Sequence, residues 1–251
     1  MKFSDIQPIP NIPVLYIKKD NIFIIADLHI GIEKQLQDLG INAFSQTNIM
    51  KDKIISLCKK YNPNKIFLLG DIKHNIPSST FQERKDVIDF LESVMLYADI
   101  HIIPGNHDGN IKKLSPKGII IHPSDGFLYK SIGLVHGHRW PNSDLMYCNN
   151  LIFGHTHPTI MLEDRLGYKK FEPCWLKGET NQKNLFDKYQ NSKKINFVVM
   201  PAFNPLCGGI AANVDGLVGP IRKIIDLDNT EVFLLDGSSL GKIKEFNKKI
   251  V

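Results

Sequence analysis

The chain has 251 residues, 43% of them hydrophobic and 23% charged, with a formal net charge of +5. This is ordinary globular composition, which excludes a disordered, collagen-like or membrane-embedded protein. The length supports a sizeable core without disulfides or a structural metal, and the mild positive charge suits an anionic substrate without requiring nucleic acid.

The start, "MKFSDIQPIP", carries one lysine and no long apolar run. It does not read as a secretory leader, and no stretch approaches the ~18 consecutive apolar residues of a membrane span. The expected protein is soluble and cytoplasmic, with no membrane partner. Cys58, Cys148, Cys174 and Cys207 form no C-x-x-C pair, so they read as reduced, mostly packed thiols and not as a zinc knuckle.

Along the chain, short runs rich in isoleucine, valine and phenylalanine predict buried strands: "NIFIIA" (21–26), "KIFLLG" (65–70), "DIHII" (99–103), "SIGLV" (131–135) and "NLIFG" (150–154). Helical spacing lies between the first three. Residues 46–60 place Ile49, Lys53, Ile54, Leu57 and Cys58 on one face, and residues 80–96 do so with Phe81, Val87, Ile88, Leu91, Val94 and Met95. Alternating strand and helix predicts an α/β sheet for the first half. From about residue 118 the apolar runs are short and crowded, predicting a second, mostly antiparallel sheet packed on the first. There "GPIRKIIDL" (219–227) and "TEVFLLD" (230–236) read as a hairpin joined through "DNT". The polar stretch 164–194 reads as an insertion or long loop. The glycine-rich "LCGGIAANVDGLVG" (206–219) lacks a strand–GxGxxG–helix context and reads as a turn. No linker divides the chain, so residues 1–251 are expected to form a single domain.

Each of the five central strands ends in the same chemistry. The first ends in "DLH" (Asp27, His29), the second in "GDIKH" (Asp71, His74) and the third in "GNHD" (Asn106, His107, Asp108). The fourth ends in "HGH" (His136, His138) and the fifth in "GHTH" (His155, His157). Seven of the nine histidines fall in these stretches, and only His101 and His122 lie elsewhere. Any one of them alone would be a turn or a cap. Ligands of open α/β sheets bind at the carboxyl ends of strands, so together they converge on one edge. Burying such groups without partners is costly, and imidazole and carboxylate donors suit first-row divalent ions. Asp27, His29, Asp71, Asn106, His136, His155 and His157 are more ligands than one ion uses, whereas two ions sharing a carboxylate take all seven. Two aspartates cancel only part of the charge of such a pair, which favours a bound hydroxide and an anionic phosphate.

The ordered series D-x-H, GD, GNHD, an isolated histidine and GHxH, spanning residues 27–157, resembles the calcineurin-like metallophosphoesterase superfamily. More narrowly, "ADLHIG", "GDIKH", "HGHRWP" and "MPAFNP" are similar to archaeal phosphoesterases related to the SbcD-type repair nucleases. The resemblance implies a four-layer α-β-β-α sandwich of two mixed β-sheets. It also implies phosphodiester hydrolysis, with DNA, RNA or a nucleotide as substrate, by a metal-bound hydroxide. Asp27, His29 and His157 would bind one metal, Asn106, His136 and His155 the other, and Asp71 would bridge. Manganese is the first choice of metal, with iron, zinc or nickel also compatible. His107 would stand beside the leaving group with Asp108 orienting it, while His74, His138 and Arg139 would face the substrate. The family's protein-phosphatase branch carries "GDxVDRG" and "GNHE", from which "GDIKH" and "GNHD" depart, so phosphomonoester and phosphoprotein hydrolysis rank lower. A silent interaction scaffold of the same fold would typically have lost ligands that are all present here.

Overall fold

Parity along the central strands decides which of three apolar layers each side chain joins. In the computed structural model, which describes residues 5–190 and 193–246, Phe23 and Ile25 of the third strand face outward to helices. Ile22 and Ile24 face inward to the second sheet. Strands buried on both faces have no polar alternation, which is why they read as continuous apolar runs.

The first sheet has six strands, β1 (Ile6–Ile9), β2 (Ile12–Ile17), β3 (Ile22–Ile25), β4 (Lys65–Leu69), β5 (Asp99–Ile103) and β6 (Ile120–Ile121), paired in that order. The pairs from β3 to β6 are parallel. Helices α1 (Ile32–Asp38), α2 (Thr47–Tyr61), α3 (Phe81–Met95) and α4 (Ile111–Leu114) occupy the connections. Met50, Ile54 and Leu57 of α2 and Val87, Phe90, Leu91 and Val94 of α3 close the outer core. Ile49 and Phe81, expected on these buried faces, point to solvent instead.

The second sheet has nine strands: β7 (Phe127–Tyr129), β8 (Ile132–Val135), β9 (Asn150–Phe153), β10 (Pro158–Glu163), β11 (Lys169–Glu179), β12 (Asn196–Val199), β13 (Ile210–Ala211), β14 (Glu231–Leu234) and β15 (Ser239–Lys242). It is mixed: β8, β9 and β12 run parallel at its centre, with antiparallel pairs around them and one further parallel pair, β10 with β13. Its inner face, with Ile132, Leu134, Ile152, Trp175 and Val198, meets Phe67, Leu69 and Ile103 of the first sheet. Its outer face carries α5 (Gln182–Tyr189), α6 (Ile243–Phe246) and 3-10 turns at Ser143–Tyr147 and Pro220–Ile224. The result is the expected α-β-β-α sandwich.

Two expectations are corrected. Residues 219–227 are not a strand. Pro220 opens a 3-10 turn that buries Ile221 and Ile224, one turn apart, and β14 pairs with β15 instead. The stretch 164–194, read as an insertion or long loop, is not a loop: it contains α5 and the eleven-residue β11, which pairs with β10, β12 and β14. Only Cys174, Trp175 and Leu176 in the middle of β11 are buried; its lysine-rich first half forms an exposed hairpin arm, and that half dominates the sequence pattern. Residues 191–192 of this stretch, and the ends of the expected single domain, lie outside the described residues.

The inter-sheet layer carries the packing energy, so truncation there should be severe. Ile152→Ala should lower unfolding stability by roughly 2–5 kcal/mol in urea titrations, while Leu166→Ala, 94% exposed, should change it by less than about 0.5 kcal/mol.

Candidate metal centre

Past the strand ends the chain keeps pairing, and this brings the motifs together. Asp27 N–H donates to Gly70 O (3.2 Å) and His29 N–H to Asp71 O (2.8 Å), locking the "DLH" and "GD" loops side by side. Gly154 N–H donates to His136 O (2.9 Å), joining the "HGH" and "GHTH" loops of the other sheet. The Asn204 side chain, from "MPAFNP", donates to the carbonyl of Leu28 (2.8 Å) and holds the first loop from behind. These loops bend hard. Asp27, His29, Asp71, His155 and His157 all have positive φ, between 40° and 68°, a region costing non-glycine residues about 1–3 kcal/mol each and recurrent at functional sites. The glycine in "GD" is there for closeness. Gly70 has φ 75°, and a Cβ on it would lie 2.4 Å from the His136 ring.

The seven expected ligands come together in two overlapping groups. The donor atoms of Asp27, His29 and Asp71 lie within 4.8 Å of one another, and so do those of Asp71, His136 and His155. His157 Nε2 lies 3.3 Å from Asp27 Oδ1 and 3.4 Å from His29 Nε2. Asn106 Oδ1 lies 3.3 Å from His136 Nε2. Asp71 belongs to both groups, with Oδ2 3.5 Å from His29 Nε2 and 3.2 Å from His136 Nε2.

The donor set fits divalent cations because lone pairs face lone pairs. His136 Nδ1–H donates to Leu69 O (2.8 Å) and His157 Nδ1–H to Gly208 O (3.0 Å). His74 Nε2–H donates to Gln35 Oε1 (2.6 Å), leaving its Nδ1 to accept from His29 Nδ1–H (3.1 Å). Each of these imidazoles therefore turns its Nε2 to the carboxylates and the Asn106 amide oxygen, where either a cation or a proton must sit between acceptors so placed.

Electrostatics agree. Burial outweighs the neighbouring carboxylates at His29 and holds its pKa down to about 3; burial, reinforced by His136, holds His155 down to about 4, so both rings stay neutral. Burial would raise both aspartates, but the surrounding histidines outweigh it and keep Asp27 and Asp71 below the usual carboxylate range. His136 and His157 are the exceptions. Burial opposes charge at both, yet Asp71 and Asp27 prevail at His136 and push it up to about 9, and Asp27 prevails at His157 and raises it.

Some expected roles move. Among the described residues no hydrogen bond joins Asp108 to the His107 ring. The Asp108 carboxylate, buried and pushed up by burial and by Asp71, accepts from the backbone N–H of Ile72 (2.9 Å), Lys73 (3.3 Å) and Gly105 (2.9 Å). It braces two ligand loops, and the carbonyl of His74 accepts from His107 Nδ1–H in its place. His74, expected to face the substrate, has both ring nitrogens engaged here, by His29 and Gln35. His138 and exposed Arg139 lie on the open side, Arg139 Nε–H donating to His138 Nε2 (3.0 Å). His101 and His122 hydrogen-bond each other at 2.9 Å and pack on Phe67 and Phe127, apart from the centre.

The sequence reading missed two contributors. Cys207, taken for a packing thiol, lies within 4.8 Å of the His29 and His157 donor atoms. Buried Glu83 accepts from the backbone N–H of His74 (2.8 Å) and Asn75 (2.7 Å). Its capping position, three residues after Thr80, gave no hint of that task.

The raised His136 has a measurable consequence. Below about pH 9 the metal-free protein holds a proton there, and metal loading must expel it. Calorimetric titration with manganese near pH 7.5, in buffers of different ionisation enthalpy, should show proton release that fades as pH rises through 9. His136→Asn should abolish that component.

Sequence comparison places these features. Residues 21–206, well over half of the chain, match the model of the calcineurin-like phosphoesterase family. Among solved structures, the Pseudomonas putida nuclease MPE overlays with a TM-score of 0.60 at 18% identity, covering 94% of this chain and 100% of that one; this supports the fold. Yfce, a phosphoesterase from E. coli, aligns at 15% identity over 88% of this chain and 97% of its own, with a TM-score of 0.41 that adds nothing to the assignment. No helix among the described residues is long and apolar enough to cross a membrane. The chain belongs to the calcineurin-like phosphoesterase family, and its chemistry is metal-dependent hydrolysis of phosphoesters.

Proposed function

We propose that the protein is a dinuclear phosphodiesterase acting on nucleic acid or a nucleotide. Asp71 carries the reading, since one carboxylate oxygen stands between His29 and His136, the inner members of two ligand groups. Asp27, His29 and His157 would hold one ion and Asn106, His136 and His155 the other, with manganese the first metal to load. Such a pair, when bound, lowers the pKa of water and neutralises phosphate charge.

The chain's own residues supply the rest. His107, half-buried, has Nδ1–H committed to the His74 carbonyl, so Nε2 is the atom that can pass a proton to a departing oxygen. Its backbone N–H donates to Asp71 Oδ1 (2.9 Å), which steadies the shared carboxylate. His138 and Arg139 would face the substrate on the Asn106 side. The departures of "GDIKH" and "GNHD" from the protein-phosphatase motifs favour diesters over phosphoserine.

After manganese reconstitution the wild type should hold two equivalents by metal analysis, and Asp71→Ala should lose both. One equivalent or less in the wild type, with Asp71→Ala unchanged, would remove the dinuclear reading. In the same preparations, diesters should turn over faster than phosphoserine peptides, and the reverse order would reject the substrate class.

His107→Gln should retain both metals and fold normally while slowing hydrolysis of a diester with a poor alkoxide leaving group, by roughly a hundredfold to ten-thousandfold. Nitrophenolate departs without protonation, so the loss should shrink for its diester. An equal loss for both would mean that His107 binds the phosphate instead.

A further inference from the structure

Two cavities flank the candidate centre, and they carry opposite charge. One, of about 510 Å³, opens beside Asn106 and His138 and is walled by Lys112, Arg139, His122 and Ser124. Asp108 is the carboxylate on its wall, and both of its oxygens are taken by backbone N–H groups. The two cations outnumber that one carboxylate. The other cavity, of about 560 Å³, lies on the His74 flank and sets Glu33, Glu83 and Asp86 against Lys34. A phosphate is attracted to the first and repelled from the second.

We propose that the cavity between Lys112 and Arg139 binds a second phosphate of the substrate, one nucleotide away from the scissile ester. This rests on the phosphodiesterase reading and narrows it. The substrate carries further phosphate on the Asn106 side, and its charged extension does not run toward His74. Since His107 stacks on His74 (ring centroids 5.3 Å apart), the leaving group emerges on the acidic flank and is the less charged half of the molecule. Lys112 is a specificity residue in this arrangement. It is exposed, on the four-residue α4 directly after the "GNHD" turn, and the hydrolysis itself makes no use of it.

The test uses the manganese-reconstituted full chain and two pairs of nitrophenyl diesters. One pair is thymidine 3′-(nitrophenyl phosphate) with and without a 5′-phosphate; the other is thymidine 5′-(nitrophenyl phosphate) with and without a 3′-phosphate. Leaving group and ester are constant within a pair, so only the remote phosphate differs. In at least one pair the phosphorylated member should be preferred in kcat/KM roughly tenfold, the scale of one charge-assisted contact, and the preference should shrink as salt is raised. Lys112→Gln should erase that preference and leave the bare diester unchanged, while Lys113→Gln, its exposed neighbour, should alter neither. The subsite is overturned if the bare diesters are hydrolysed and no preference appears, or if Lys112→Gln slows bare and phosphorylated diesters alike. If no diester is hydrolysed, the phosphodiesterase reading itself has failed, and calorimetric binding of thymidine 3′,5′-bisphosphate decides the subsite. Binding weakened by Lys112→Gln supports it; binding that is absent or indifferent to Lys112 rejects it.

Discussion

A buried carboxylate wedged between the ring nitrogens of two imidazoles is the constraint on which the rest of this molecule depends. Asp71, 2% exposed, faces His29 on one side and His136 on the other. Such an arrangement is unfavourable without positive charge between the partners. Residues that share no sheet must be held to it, and the chain does so with rigid means. Strand pairing continues past the strand ends, left-handed backbone conformations aim the side chains, and glycine lies where any side chain would collide. Five ligand residues accept backbone strain, and the three apolar layers beneath them supply the stability that tolerates it.

Main-chain carbonyls do much of the chemical tuning. Leu69 and Gly208 fix the tautomers of His136 and His157, and the carbonyl of His74 fixes that of His107. At His29 a side chain serves instead, through His74 and Gln35. Asp108 acts at one remove, tying the "GD" and "GNHD" turns into one block through three backbone amides. The centre is thus assembled from backbone, and the flanking cavities from side chains.

This division explains what could be read in the sequence. The five central strands were legible because β-branched runs buried on both faces have no other use. Their polar ends were legible because seven ligands in order are too many for turns. The ligand residues are brought together, while the hydrogen bonds of His74 and Asp108 could not be read from spacing. Sequence spacing suggests that neighbours such as His107 and Asp108 cooperate; apart from Gly105, the backbone groups they bond lie more than thirty residues away. Strand β11 was hidden because its exposed lysine-rich arm outweighs three buried residues. At 219–227 the apolar residues fit a strand and a 3-10 turn equally well, and the geometry of Gly219 and Pro220 decides for the turn. Cys207 and Glu83 carry no local signal at all, since their partners lie far along the chain.

Tautomers set by peptide carbonyls have an evolutionary corollary. A peptide carbonyl survives almost any substitution at its own residue, so the orientation of His136 and His157 does not depend on which side chains Leu69 and Gly208 carry. The hydrolytic core is in that sense inherited with the fold, and selection can rewrite the cavity walls around it one residue at a time. Lineages built on this scaffold would be expected to keep the reaction while diverging in what they bring to it.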